Sequence, residues 1–183
     1  QLHNLGGGTA KTVFASIISR YQDPDGDLGI SDEGWEIAAK FLGNAHNIAD
    51  GEDAVGSVID GTYPMDEHWA SGVLTEQKDR DYKFQIMTPD IGEPYVVESL
   101  AISAGTKKYD TCVAFLNWLG SSDVQLDWSN NYGTIPCQKE ALDQVSDDIK
   151  ELMETLKPQD LDWSFIAENV DAWVEKAELE YVQ

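Results

Sequence analysis

Basic residues are scarce in this chain. Twelve lysines and arginines stand against 34 aspartates and glutamates, a net charge of -22 over 183 residues. That shortage excludes nucleic acid as a partner, because phosphate contacts need lysine and arginine. No run of about 18 apolar residues occurs, so no segment spans a membrane as a helix. The two cysteines and three histidines are scattered. They build no HExxH, no Ser-His-Asp order and no phosphate-cradling loop, so neither an enzyme nor a cofactor is expected. Internal repeats and low-complexity segments are lacking as well. No basic-then-apolar leader opens the sequence, and any signal peptide is expected to lie outside it.

What is there is enough to fold. Apolar residues make up 42% and aromatics 10%, which separates the chain from disordered acidic tails. Its length suits one ordinary domain or two small ones. The acidic excess fits solubility or a salt-rich habitat; a cationic ligand is the sharper alternative, which charge alone does not establish.

Val13, Phe14, Ile17, Ile18 and Tyr21 recur at helical spacing and predict a helix over 10–21, with Thr9 as its N-cap. DPDGDLG, residues 23–29, predicts a loop. Ser31 caps a second helix that buries Trp35, Ile37, Ala38, Phe41 and Leu42 and stops at Gly43. A short helix is expected over 52–60. Strands are expected over 62–69, 83–87 and 96–102, the last dense enough in apolar residues to be buried. A helical hairpin follows: Asp110 caps a helix carrying Val113, Phe115, Leu116, Trp118 and Leu119, Gly120 turns the chain, and 123–129 runs back. Trp163, Ile166, Val170, Trp173, Ala177 and Tyr181 mark one face of a long final helix. The order is α/β, with few strands for its helices.

Four stretches carry a resemblance by their order and spacing: GSVIDGTYPMDEHW, PDIGEPYVVESLAISAG, AFLNWLGSSDVQ and NNYGTIP. Together they resemble the periplasmic solute-binding proteins of ABC importers, particularly the polyamine-binding and the iron- and phosphonate-binding groups. The resemblance implies an α/β, periplasmic-binding-protein-like (type II) lobe, a mixed sheet flanked by helices, with a helical C-terminal region. It implies capture of a small polar solute, a polyamine, an amino acid or a similar amine- or anion-bearing compound. Delivery to ABC permease subunits would follow closure of two lobes, in a periplasmic or extracellular, cell-surface-attached protein. Members of these groups are usually longer, so the chain is expected to be a fragment lacking the N-terminal part of lobe 1. Residues 1–88 would be the second lobe, 89–134 a segment returning to the first, and 135–183 the C-terminal helices completing both. Self-association of such a fragment is expected through its uncovered apolar surface. An acidic interaction module without a small ligand is the alternative, and an enzyme on the same scaffold a more distant one.

The site residues follow from both lines. Gly6, Gly7 and Gly8 run into Thr9 at a helix start, where backbone N–H groups suit an anion; the plainer reading is a strand turning into a helix. The resemblance places this stretch, with Gly7, Gly8 and Thr9, at the cleft. It also implies Trp69 as a cover for the ligand, able to hold a cation against its face, and Glu98 as the acid that receives an ammonium. Tyr95 stands in for the aromatic that the polyamine group has where this chain has Val96. Tyr132 lies by the cleft mouth, with Glu93 near the hinge. Core or surface roles compete at each of these positions. Cys112 and Cys137 sit where an antiparallel hairpin would bring its ends together, so a disulfide is expected, suited to an exported protein; two free thiols are the alternative. No metal site is expected. His68, Glu67 and Asp66 are adjacent on an expected strand, whose side chains alternate between faces.

Overall fold

The computed structural model describes residues 1–182. Its elements are α1 (Gly8–Ile18), a 3-10 turn (Ser19–Tyr21), β1 (Gln22–Asp27), α2 (Asp32–Gly43), α3 (Ala54–Ile59), α4 (Ala70–Arg80), α5 (Tyr109–Leu119), α6 (Ser122–Tyr132), α7 (Lys139–Leu142), α8 (Asp147–Thr155) and α9 (Trp163–Glu180). The chain divides into two compact units. Unit 1 comprises residues 1–68, Gly92–Pro94 and the chain from Pro158 on; unit 2 comprises Trp69–Ile91 and Tyr95–Lys157.

Unit 1 is built on α1, α2 and α9. Phe14 and Ile18 of α1, Ala38 of α2, and Trp173 and Ala177 of α9 are wholly buried in one cluster with Leu2 and Ile30. The apolar spacing in the sequence produces these three helices, since each must cover one stripe against the others. Ser31 caps α2 as expected, its hydroxyl accepting the Gly34 N–H. Gly7, not Thr9, is the N-cap of α1, and Thr9 lies inside the first turn. The expected loop at 23–29 holds the single named strand among the described residues. Gln22 and Asp27 both bridge Ile30 across a tight turn, where Leu28 and Gly29 adopt φ of 52° and 76°. The Trp173 indole donates to the Leu28 carbonyl at 2.9 Å and ties this turn to α9.

Unit 2 is helical. Its buried apolar residues, Ala141, Val145, Ile149 and Leu152, lie on α7, α8 and the connection between them. The hairpin α5–α6 forms as expected, although Lys108 rather than Asp110 is the N-cap of α5. α5 buries none of its residues, and Phe115 and Trp118 are each more than half exposed.

The mixed sheet expected from the sequence does not form among the described residues. None of 62–69, 83–87 and 96–102 is a strand. The 96–102 segment is not buried either: Val96, Val97 and Leu100 are 60–72% exposed. Apolar β-branched residues favour a pleated surface only where a neighbouring strand completes the ladder. Outside β1, bridging among the described residues is confined to isolated pairs such as Leu2 with Asn47 and Glu93 with Pro158, both parallel.

The expected disulfide does not form: Cys112 and Cys137 are both free. The Gln125 side chain, in the first turn of α6, accepts the N–H groups of Cys137 and Gln138 at 2.8 and 3.1 Å. Gln138 in turn donates to the Gly120 carbonyl at 2.7 Å. After Tyr132 the chain has therefore run back to the α5–α6 turn, carrying Cys137 with it. Cys112 stays at the opposite end of α5, where its thiol meets Thr106. Cys112 and Gly120 are about 12 Å apart along the helix axis, whereas a disulfide needs Cα atoms within about 7 Å.

Candidate functional site

The expected ligand residues fall into both units. In unit 1, Gly6 and Gly7 donate their N–H groups to the Asn4 side chain and carbonyl at 2.7 and 2.9 Å. α1 then starts with no side-chain cap and no acid in its first turn. None of these three glycines has positive φ, and a Cβ on Gly8 would meet nothing within 4 Å. Backbone strain is therefore not why glycine stands there. Gly8 and Thr9 open a bare helix start, where orphan N–H groups and the helix dipole suit negative charge.

In unit 2, Trp69 is the N-cap of α4 and is 52% exposed. Tyr132 ends α6 and is 59% exposed. Its ring lies 5.8 Å from that of Trp128. Gly133 closes α6 in the left-handed region, φ 68°, and a Cβ there would meet the Ser71 carbonyl at 3.0 Å. The C-terminus of α6 thus abuts the first turn of α4, so the ends carrying Tyr132 and Trp69 adjoin. Tyr95 is half-buried, and Glu98 is exposed within the irregular run after it. Trp69 is a surface aromatic rather than a core one.

Unit 1 holds a second constellation, which the expected strand over 62–69 did not suggest. The N-terminal segment is pinned: Leu2 exchanges backbone bonds with His46 and Ile48 at 2.9 and 3.1 Å. Gln1 bonds to Met65, Ala54 and Ser57. The opposite wall is held by Tyr63, whose ring stacks on His46 at 4.5 Å and whose N–H donates to Ser57. His46 is itself anchored to Glu52 at 2.7 Å. These contacts bring His3 to Asp66, Glu67 and His68. One donor atom each from His3, Asp66 and His68 lies within 4.8 Å of the others.

The carboxylates of this cluster are buried and short of hydrogen-bond partners. The Asp66 side chain is 9% exposed, with His68 Nδ1 at 3.8 Å. Neither carboxylate oxygen of Asp66 or Glu67 has a hydrogen-bond partner among the described residues, and neither does His3 Nε2. Burial pushes both carboxyl groups above the usual range; His3, His68 and the terminal ammonium of Gln1 pull Asp66 back, whereas His3 pulls Glu67 back and the Asp66 charge pushes it further up. Residues 62–69 are not a strand, so strand alternation does not apply to Asp66, Glu67 and His68, and Asp66 and His68 lie together with His3. His3 went unread because only tertiary contact brings it there.

A shallow hollow of about 210 Å³ lies beside α1 and α9, lined by Lys11, Thr12, Trp163 and Val170 among others. It is smaller than the roughly 300–1,000 Å³ usual for a small-molecule site.

A family model of bacterial extracellular solute-binding proteins matches residues 7–157. A probable ABC transporter periplasmic-binding protein of Sinorhizobium fredii is 33% identical over 175 residues, covering 96% of this chain and 48% of that protein. The chain therefore spans about half the length of this curated relative. No solved structure matches.

Proposed function

Because the chain belongs to the family of bacterial extracellular solute-binding proteins, and so is periplasmic or extracellular, we propose that it serves the solute-capturing component of an ABC importer. It takes up a small polar solute carrying an amine, of the polyamine or amino-acid kind, and presents it to the permease subunits. The observation that carries this reading is the family match across most of the chain, joined by a similarity that spans 96% of this chain and 48% of a probable periplasmic-binding protein. The geometry of unit 2 supports the amine. Trp69 and Tyr132 offer exposed π faces on adjoining helix ends, and a cation over such a face gains about 0.5–2 kcal/mol. Glu98, exposed in the same unit, supplies a carboxylate for an ammonium.

The test is a thermal-unfolding panel on the gene product that carries this chain, against polyamines, amino acids, phosphonates, phosphate, sugars and ferric ion. A ligand at 100 times its Kd stabilises by about 2.7 kcal/mol. An amine should raise the midpoint, and Trp69→Ala and Glu98→Gln should each reduce the shift. A panel without any specific shift removes the reading.

One observation favours a second reading, an acidic module that pairs with a second copy of itself. α5 buries no residue while carrying Phe115 and Trp118. Sedimentation velocity decides it: a dimer that Trp118→Glu dissociates would support self-association, and a monomer at all concentrations would dismiss it.

A further inference from the structure

We propose that His3, Asp66 and His68 form a site for one divalent transition-metal ion of the zinc–nickel class, with Glu67 as an adjoining second carboxylate. Three features of unit 1 converge on it. The donor set is two imidazoles and a carboxylate, the chemistry that suits zinc or nickel rather than the all-oxygen preference of magnesium or calcium. The donors come from segments far apart in sequence, which shared contacts hold together: Gln1 bonds to Met65, Leu2 bonds to His46, and His46 stacks on Tyr63. The Asp66 carboxylate is nine-tenths buried, and neither of its oxygens has a hydrogen-bond partner among the described residues. Buried polar atoms almost always find partners, and a buried carboxylate without one is relieved by a proton or by a cation; two imidazoles beside it supply the remaining ligands for a cation.

The distances fit with modest closure. Bonds of about 2.0–2.2 Å in a tetrahedral site set donors roughly 3.4 Å apart. Here they lie within 4.8 Å of one another, so rotation of the imidazoles over roughly 1 Å completes the set. A bound ion would supply the positive charge that two neighbouring carboxylates lack, and it would clamp the N-terminal segment to the 65–68 segment. The proposal does not depend on the solute reading, since every donor lies in unit 1 and no organic solute is invoked.

The experiment is calorimetric titration of the metal-stripped protein with zinc chloride and with nickel chloride, with magnesium chloride as competitor. One ion per chain should bind saturably, unaffected by magnesium. His3→Ala, His68→Ala and Asp66→Asn should each weaken binding by about 100-fold or more, since even loss of an outer partner costs roughly 10–100-fold. Asp147→Asn, an exposed acid on α8, should bind like the parent. Cobalt absorption provides a second readout, its bands being altered by each histidine change. Far-UV circular dichroism checks each variant, and where Asp66→Asn fails to fold, the two histidine variants decide. Binding that is unsaturable, that magnesium displaces, or that survives the loss of either histidine overturns the proposal.

Discussion

Replacing Trp173 by phenylalanine should destabilise unit 1 by about 2–3 kcal/mol. Trp173 is wholly buried on α9, and its ring packs 5.3 Å from Phe165. Its indole N–H donates to the Leu28 carbonyl in the strained turn after β1. Phenylalanine removes that bond, worth about 0.5–1.5 kcal/mol net. It also removes part of a large ring from a closed site, adding about 1–2 kcal/mol of lost burial and residual void. Trp118→Phe makes the same chemical change where the ring is 54% exposed, and it should cost under about 0.5 kcal/mol. Urea unfolding followed by circular dichroism reads both variants, and the expected midpoint drop for Trp173→Phe is about 5–10 °C in a thermal scan. If the two variants lose equal stability, the packing described for α1, α2 and α9 is not what holds unit 1 together.

Four further outcomes follow. Gly133→Ala should cost about 2 kcal/mol or more, because alanine resists the left-handed region and its Cβ would meet the Ser71 carbonyl at 3.0 Å; Gly8→Ala should be neutral or stabilise by up to about 1 kcal/mol, as denaturant titration will show. The Glu52 carboxyl is held below its usual range by the Ala49 N–H and then by His46. Its contribution is therefore full above the unfolded carboxylate range and lost as pH falls through the lowered folded value; a carbon-13 titration should find that low midpoint, and Glu52→Gln should flatten the acid limb of stability. Both thiols should react with a disulfide reagent without prior reduction, Cys137 faster because it is the more exposed; a Cys112–Cys137 peptide in a non-reduced digest would contradict the hairpin geometry. Lys83→Ala should change stability by less than about 0.5 kcal/mol, since its pair with Glu151 lies on the surface, and a larger loss in a double-mutant cycle would show that this pair is more than a surface contact.

Most of the helices were legible because their cause is local; α4 (Ala70–Arg80), which lacks a clear apolar stripe, is the exception. The stripe Val13–Phe14–Ile17–Ile18 and the final Trp163–Ile166–Val170–Trp173 run state where a 3.6-residue period must bury itself, and Ser31 followed by two acids announces a start. The strands were not legible, because a strand is half of a pair. VVESLAI has the composition of a buried strand, yet no ladder partner reaches it among the described residues, and its valines stay exposed. DPDGDLG has the composition of a loop, yet it pairs with Ile30 because that partner sits within the same tight turn.

The candidate sites divide by the same logic. The order of motifs around them made Trp69 and Tyr132 candidate cleft aromatics, and in the structure both are exposed at adjoining helix ends. The histidine–carboxylate cluster was readable in neither way. Its Asp66–Glu67–His68 half was judged by an alternation rule that holds only inside a strand, and this segment is irregular. Its other half, His3, has no local signal: a histidine two residues after Gln1 gains meaning only when Leu2 is fixed against His46 and Ile48. Two adjacent acids placed beside a histidine, in a segment that folds inward, leave buried carboxylate oxygens without a hydrogen-bond partner among the described residues. Marginal stability makes such a cost hard to retain without a compensating interaction, and that is the strongest reason to look for the cation.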